Sequence, residues 1–195
     1  MKKRTVALLL ALVLCAGCAV GGTVAWLMDT TETITNTFTT SDITITLTET
    51  TGTEYKMVPG ATIPKNPVIK VAEGSEDCWL FVKLVENNNV DSFLTYSEAT
   101  GWIEVDGNAG VYYRKVLKTD QEREFSVIAN DKLTVNNNVT KEMMNNVGEN
   151  KPTISVTAYA IQSENLEYGG ATTDAAKAVI AWDIVKTNPD SFPNT

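Results

Sequence analysis

From Ile43 to Thr48 apolar and hydroxyl side chains alternate without a break: Ile43, Ile45 and Leu47 hold one parity, Thr44, Thr46 and Thr48 the other. A period of two gives each set its own face of an extended strand, one face to pack and one to stay wet. The stretch lies within Thr30 to Thr53, which holds 13 threonines, and the β-branched threonine side chain favours strands over helices. These threonines read as the solvated outer face of a sheet rather than as an ice- or glycan-binding array.

Further runs of strand character follow, each closed by turn residues. Glu54–Val58 ends at Pro59-Gly60. Pro67–Ala72 reads as an edge strand, because proline has no N–H to give to a ladder. Cys78–Glu86 is the most apolar run and is expected at the centre of a sheet, ending at Asn87-Asn88-Asn89. Phe93–Tyr96, Trp102–Val105 and Val111–Leu117 come next, the last two joined by Asp106-Gly107-Asn108. Glu124–Ala129 and Lys132–Val135 flank Asn130-Asp131, and in Thr153–Gln162 one parity holds Ile154, Val156, Ala158 and Ala160. Two stretches have helical spacing: Thr140–Val147, with Thr140 as N-cap, and Thr173–Lys186, with Ala176, Val179, Ile180 and Ile184 on one face. Thr173 can cap the second, and Asp174 suits its positive end. Eight to ten short strands with few helices predict an all-β fold. The expected form is an antiparallel β-sandwich, jelly-roll-like, with one or two short helices including a C-terminal one.

At the N-terminus Lys2, Lys3 and Arg4 precede an uncharged apolar run, Val6–Val20, and Gly21-Gly22-Thr23-Val24-Ala25 gives it a small-residue exit. This is the plan of a secretory signal peptide. The expected cut lies between Ala25 and Trp26, which divides the chain into a signal (1–25), an extended segment (26–40) and a β-sandwich domain (41–195). Two other readings stay open. Thr5 to Met28 carries no charge over 24 residues, long enough for an uncleaved membrane anchor. Cys15-Ala16-Gly17-Cys18 offers the small residues of a lipid-attachment site at Cys18, without the usual leucine three places earlier.

Without Lys2, Lys3 and Arg4 the remainder has 13 basic residues against 24 acidic, a net of −11. That balance argues against nucleic acid and anionic lipid as partners and leaves membrane contact to an uncleaved signal alone. Cys78 is the one cysteine after the cut, so the domain has no internal disulfide, and its apolar surroundings predict a buried structural thiol. The chain has no histidine, which removes Ser-His-Asp and Cys-His catalysis and nearly every zinc-enzyme site. No nucleophile elbow, phosphate loop or dinucleotide fingerprint is present. Glu73, Glu76 and Asp77 read as an exposed turn around Gly74-Ser75. Asp106, Asn108 and the carbonyls near Gly110 read as a plain turn, since no bidentate glutamate follows at calcium-loop distance. Trp102, Tyr112 and Tyr113 suggest a sugar platform only in part, because neighbouring tyrosines on a strand face opposite ways. Asn138-Val139-Thr140 is a formal glycosylation sequon. The chain is therefore read as a non-enzyme with no cofactor and no metal. A surface adhesin or carbohydrate-binding module is the alternative, and a hydrolase using two carboxylates is a third.

The N-terminal third, Gly21-Gly22-Thr23-Val24-Ala25-Trp26-Leu27-Met28-Asp29-Thr30 followed by Thr37-Phe38-Thr39 and Ile43–Leu47, resembles the TasA/camelysin family. These are exported proteins of Gram-positive bacteria whose signals are removed by a dedicated SipW-type peptidase. Pro59-Gly60 and Trp79-Leu80-Phe81-Val82-Lys83 are similar to the family's sheet. The resemblance is specific over residues 1–48 and general beyond them. It implies a jelly-roll domain, an extracellular location at the cell surface and assembly into biofilm-matrix fibres. It also implies a metallopeptidase label that a chain without histidine does not support. The sequence adds a physical basis for fibres. The segment Trp26–Thr40 has Trp26, Met28, Ile34 and Phe38 at even positions, and a loose strand with an apolar face seeks a sheet edge. That edge belongs either to its own domain or to a neighbour's. In the second case the contact is head-to-tail and open, which makes filaments of the chain itself or with related matrix subunits.

Overall fold

The computed structural model describes residues 43–51, 56–148 and 150–187. Among them the elements run β1 (Ile45–Thr48), β2 (Thr62–Pro64), β3 (Val68–Val71), β4 (Cys78–Glu86), α1 (Val90–Phe93), β5 (Leu94–Thr95), β6 (Ile103–Glu104), β7 (Val111–Val116), β8 (Glu124–Ser126), a 3-10 turn at Ala129–Asp131, β9 (Lys132–Val135), α2 (Lys141–Val147), β10 (Ile154–Gln162) and α3 (Asp174–Thr187). The strands form three antiparallel sheets in the orders β1-β3-β8, β2-β9-β5 and β10-β4-β7-β6. The all-β antiparallel sandwich with a C-terminal helix is the fold observed.

β4 is the axis of the molecule. It pairs with β10 from Ile154↔Glu86 to Gln162↔Cys78 on one side and with β7 from Cys78↔Val116 to Lys83↔Val111 on the other. Its even residues Cys78, Leu80, Val82 and Leu84 enter an inner core with Ile69 and Val71 of β3, Phe125 of β8 and Leu133 and Val135 of β9. Its odd residues Trp79 and Phe81 enter a second core with Val111 and Tyr113 of β7 and Ala178, Ala181, Trp182 and Val185 of α3. Both parities are apolar because both faces are covered, the two smaller sheets on one and the helix on the other. Each fully buried large apolar side chain contributes about 1.5–3 kcal/mol, so these two cores hold the domain without a staple.

Several expectations are met closely. β1 alternates half-buried Ile45 and Leu47 with exposed Thr46 and Thr48. β10 sends Ile154, Val156, Ala158 and Ala160 to the inner core, and Tyr159 and Ile161 to the helix side. Thr140 caps α2, its hydroxyl accepting from the Met143 N–H at 3.1 Å, and Thr173 accepts from Ala176 N–H at 3.3 Å.

Others are corrected. Pro67 does not mark an edge: β3 starts at Val68 and lies in the middle of its sheet, between β1 and β8. Proline precedes the ladder, where its missing N–H costs nothing, and its carbonyl accepts from Val127 N–H at 2.9 Å. Phe93 closes a helical turn that begins at Val90, and the strand after it is Leu94–Thr95 alone. The strand expected over Glu54–Val58 falls partly outside the described residues, and 56–58 are not strand; the strand nearby is Thr62–Pro64. In α3 the buried face is Ala178, Ala181, Trp182 and Val185, whereas Ala176 is exposed and Val179, Ile180 and Ile184 are half-buried.

Candidate functional site

The residues expected to act in processing and assembly, Ala25, Trp26, Met28, Ile34 and Phe38, lie outside the described residues. What the structure places is a pair of neighbouring strand edges, β10 and β1. β10 is nine residues long, contains no charged residue, and has β4 as its one hydrogen-bonded strand among the described residues. β1 runs alongside β10 without pairing to it. Ile45 and Leu47 of β1 and Ile154, Val156 and Ala158 of β10 pack on the same inner core, so the two edges flank one apolar seam. Long uncharged edges are what soluble proteins ordinarily blunt with lysine, proline or a bulge.

At the start of β10 the seam widens into a groove of about 740 Å³, floored by Met57, Ile63, Leu133 and Ile154. Lys56, Lys65 and Lys151 stand around it. The Lys65 ammonium donates to Glu49 Oε2 at 2.6 Å, and Thr51 donates to Glu49 Oε1 at 3.1 Å. With side chains 11% and 22% exposed, this ion pair is the least solvated in the described chain, and it ties the end of β1 to the end of β2. Lys56 and Lys151 are exposed. Lys65 is already paired, so the exposed positive charge at the groove comes from Lys56 and Lys151.

The other positions singled out by sequence resolve as follows. Cys78 is fully buried, and burial, with a smaller contribution from Asp77 and against the pull of Arg123, pushes its thiol up to about 12. A thiol held protonated is a poor nucleophile. Cys78 is therefore expected to stay unmodified by a disulfide-exchange reagent at mildly alkaline pH and to react once denaturant is added; rapid reaction of the native protein would contradict this. Around Asp106 the loop's polar groups satisfy one another: Asn108 Nδ2 donates to the Asp106 carbonyl at 3.0 Å, and Gly110 N–H donates to Glu104 Oε1 at 3.2 Å. Gly110 has φ +75°, and a Cβ there would sit 2.7 Å from the Leu84 carbonyl, so close approach to β4 requires glycine. Gly74, in the Glu73–Asp77 turn, also has positive φ.

Trp102, Tyr112 and Tyr113 do not form one platform. Tyr113 is buried on the helix side with its ring centroid 5.8 Å from that of Trp79, while Trp102 and Tyr112 belong to the inner side. Tyr112 and Tyr96 line an open cleft of about 710 Å³ with Glu86, Asp91 and Glu98. Burial raises both phenol pKa values, and hydrogen bonds from Tyr96 to Glu86 and from Tyr112 to Glu98 raise them further. Each phenol thus stays a neutral donor to its carboxylate. Among the described residues no three acidic or cysteine side chains gather to hold a metal ion, and no helix is long and apolar enough to cross a membrane. Comparison with family models, with curated proteins and with solved structures finds no match.

Proposed function

We propose that this chain is an exported structural subunit of a Gram-positive cell surface or biofilm matrix, assembling by β-strand addition. The observation that carries this reading is the outer edge of β10: from Ile154 to Ile161 it is uncharged, β4 is its one paired strand among the described residues, and it runs beside β1, which pairs with β3 and not with β10, opening into a lysine-rimmed apolar groove. The segment 26–40 complements that surface. It places Trp26, Met28, Ile34 and Phe38 on one parity, interrupted there by Glu32, carries Asp29 on the other, and has no basic residue. At about 3.3 Å per residue its 15 residues extend to about 50 Å, against about 30 Å for β10, leaving length to bridge two subunits. A strand donated head-to-tail generates an open filament. Export by a SipW-type peptidase would free the segment by cutting at Ala25.

Electron microscopy of the chain beginning at Trp26, beside a version lacking residues 26–40, tests the proposal. Filaments are expected in the first and none in the second. Filaments in both, or in neither, would remove strand addition by this segment.

A further inference from the structure

A sandwich of open sheets has two places where sheet edges meet, and here they are built differently. β10 lies beside β1 at one; at the other, Ile103 of β6 and Phe125 of β8 line a cleft of about 510 Å³. At the first seam the inward residues from Ile154 to Ala160 are apolar, Ile45 and Leu47 from β1 and Ile154, Val156, Ala158 and Ala160 from β10, and the polar Gln162 comes only at the end of β10. At the second, the inward parity of β7 runs Tyr112, Arg114, Val116, so a guanidinium stands where the pattern calls for an apolar side chain. Arg114 lies over the Trp102 ring, 4.9 Å from its centroid, and over Phe125, 4.2 Å from its centroid. Its Nη2 donates to the Thr100 carbonyl at 3.0 Å. Gly101 makes the room: it has φ +94°, and a Cβ there would fall 2.0 Å from Nη2. Backbone carbonyls at the end of β8 and just past it are occupied as well, Ser126 by Trp102 Nε1 at 2.8 Å and Val127 by Ala99 N–H at 2.9 Å.

An inward-pointing charge at a sheet edge is a recognised means of preventing strand pairing, because an incoming strand would have to bury it. We infer that Arg114 closes the β6–β8 seam against strand addition, so that subunits join through the β10–β1 seam and not through both. The inference rests on the strand-addition reading and explains why such a subunit would give unbranched filaments.

The test separates the two ideas by offering the strand in trans, as a synthetic peptide of residues 26–40, to the chain that lacks those residues. The parent chain should bind one peptide, at the β10–β1 seam. With Arg114→Ala, which uncovers Trp102 and Phe125, it should bind two, by calorimetry, while circular dichroism keeps its native form. Gly101→Ala displaces the guanidinium without removing it and should also give two; it decides the matter if Arg114→Ala fails to fold. An Arg114→Ala chain that keeps its fold and binds no more peptide than its parent overturns the closure. Should the parent chain bind none, strand addition at the first seam fails on that result, and a site gained on Arg114→Ala still supports the closure.

Discussion

Trp182→Ala is expected to lower folding stability by about 3–5 kcal/mol, the largest loss from any single truncation in α3. Helix α3 meets the sheet through Ala178, Ala181, Trp182 and Val185. The two alanines allow close approach but bring little area of their own, so the indole supplies most of the buried bulk. It lies with its ring centroid 5.3 Å from that of Phe81 and 5.4 Å from that of Tyr159, bridging β4 and β10. Those rings would face a cavity the surrounding strands cannot close, because β4 is fixed on both edges. Ile180→Ala is the paired control, since Ile180 is half-buried and outside that contact face. Its expected cost is about 1 kcal/mol or less. Urea denaturation followed by circular dichroism would measure both. Equal losses would mean that the helix packs through Ile180 and Ile184 instead.

That helix shows why part of the fold was legible in the sequence and part was not. Ala176, Val179, Ile180 and Ile184 satisfy helical spacing as well as Ala178, Ala181, Trp182 and Val185 do, because the segment is apolar on nearly every side. Periodicity finds such a helix and leaves its rotation undetermined; the sheet beneath, offering Phe81 and Tyr159 to an indole, chooses. Where only one face is covered, as in β1, alternation was enough. In β4 the absence of alternation was the informative sign, since a strand covered on both faces has no polar parity. β2, β5 and α1 span three, two and four residues, too few for any period, and they take their form from neighbours. Asn136 Nδ2, for instance, holds the Asp91 carbonyl in α1 from 45 positions away.

The candidate site divides in the same manner. The inward parity of β10 could be read from its residues, but that β4 is its one paired strand among the described residues is a fact of topology. Lys151 is far in sequence from Lys56 and Lys65 and joins them only in the folded groove. Arg114 did leave a signal: a charge between Tyr112 and Val116 breaks a period-two run, which marks an edge device or a site.

Ile34→Asp is expected to abolish polymers while leaving a folded monomer. Ile34 and Phe38 share a parity in the segment 26–40, so a strand laid along β10 turns both toward the seam that Val156 and Ala158 help to line. Each anchor, fully buried, would contribute about 1.5–3 kcal/mol to the contact. A carboxylate in that position has no partner among the apolar residues of the seam, and its desolvation costs more than the lost methyl contacts. The monomer should survive because, among the described residues, both cores are already assembled from Ile43 onward. Thr35→Asp is the control: the opposite parity faces outward and tolerates a charge, so filament yield should stay near wild type. Sedimentation and thermal melting of the three proteins distinguish the arrangements. Loss of polymer at an unchanged melting temperature is the result for a strand exchanged between subunits. A lowered melting temperature with assembly unaltered would mean that the segment folds onto its own β10. Equal damage from both substitutions would remove the two-faced strand itself, and no effect from Ile34→Asp would reduce residues 26–40 to a tether.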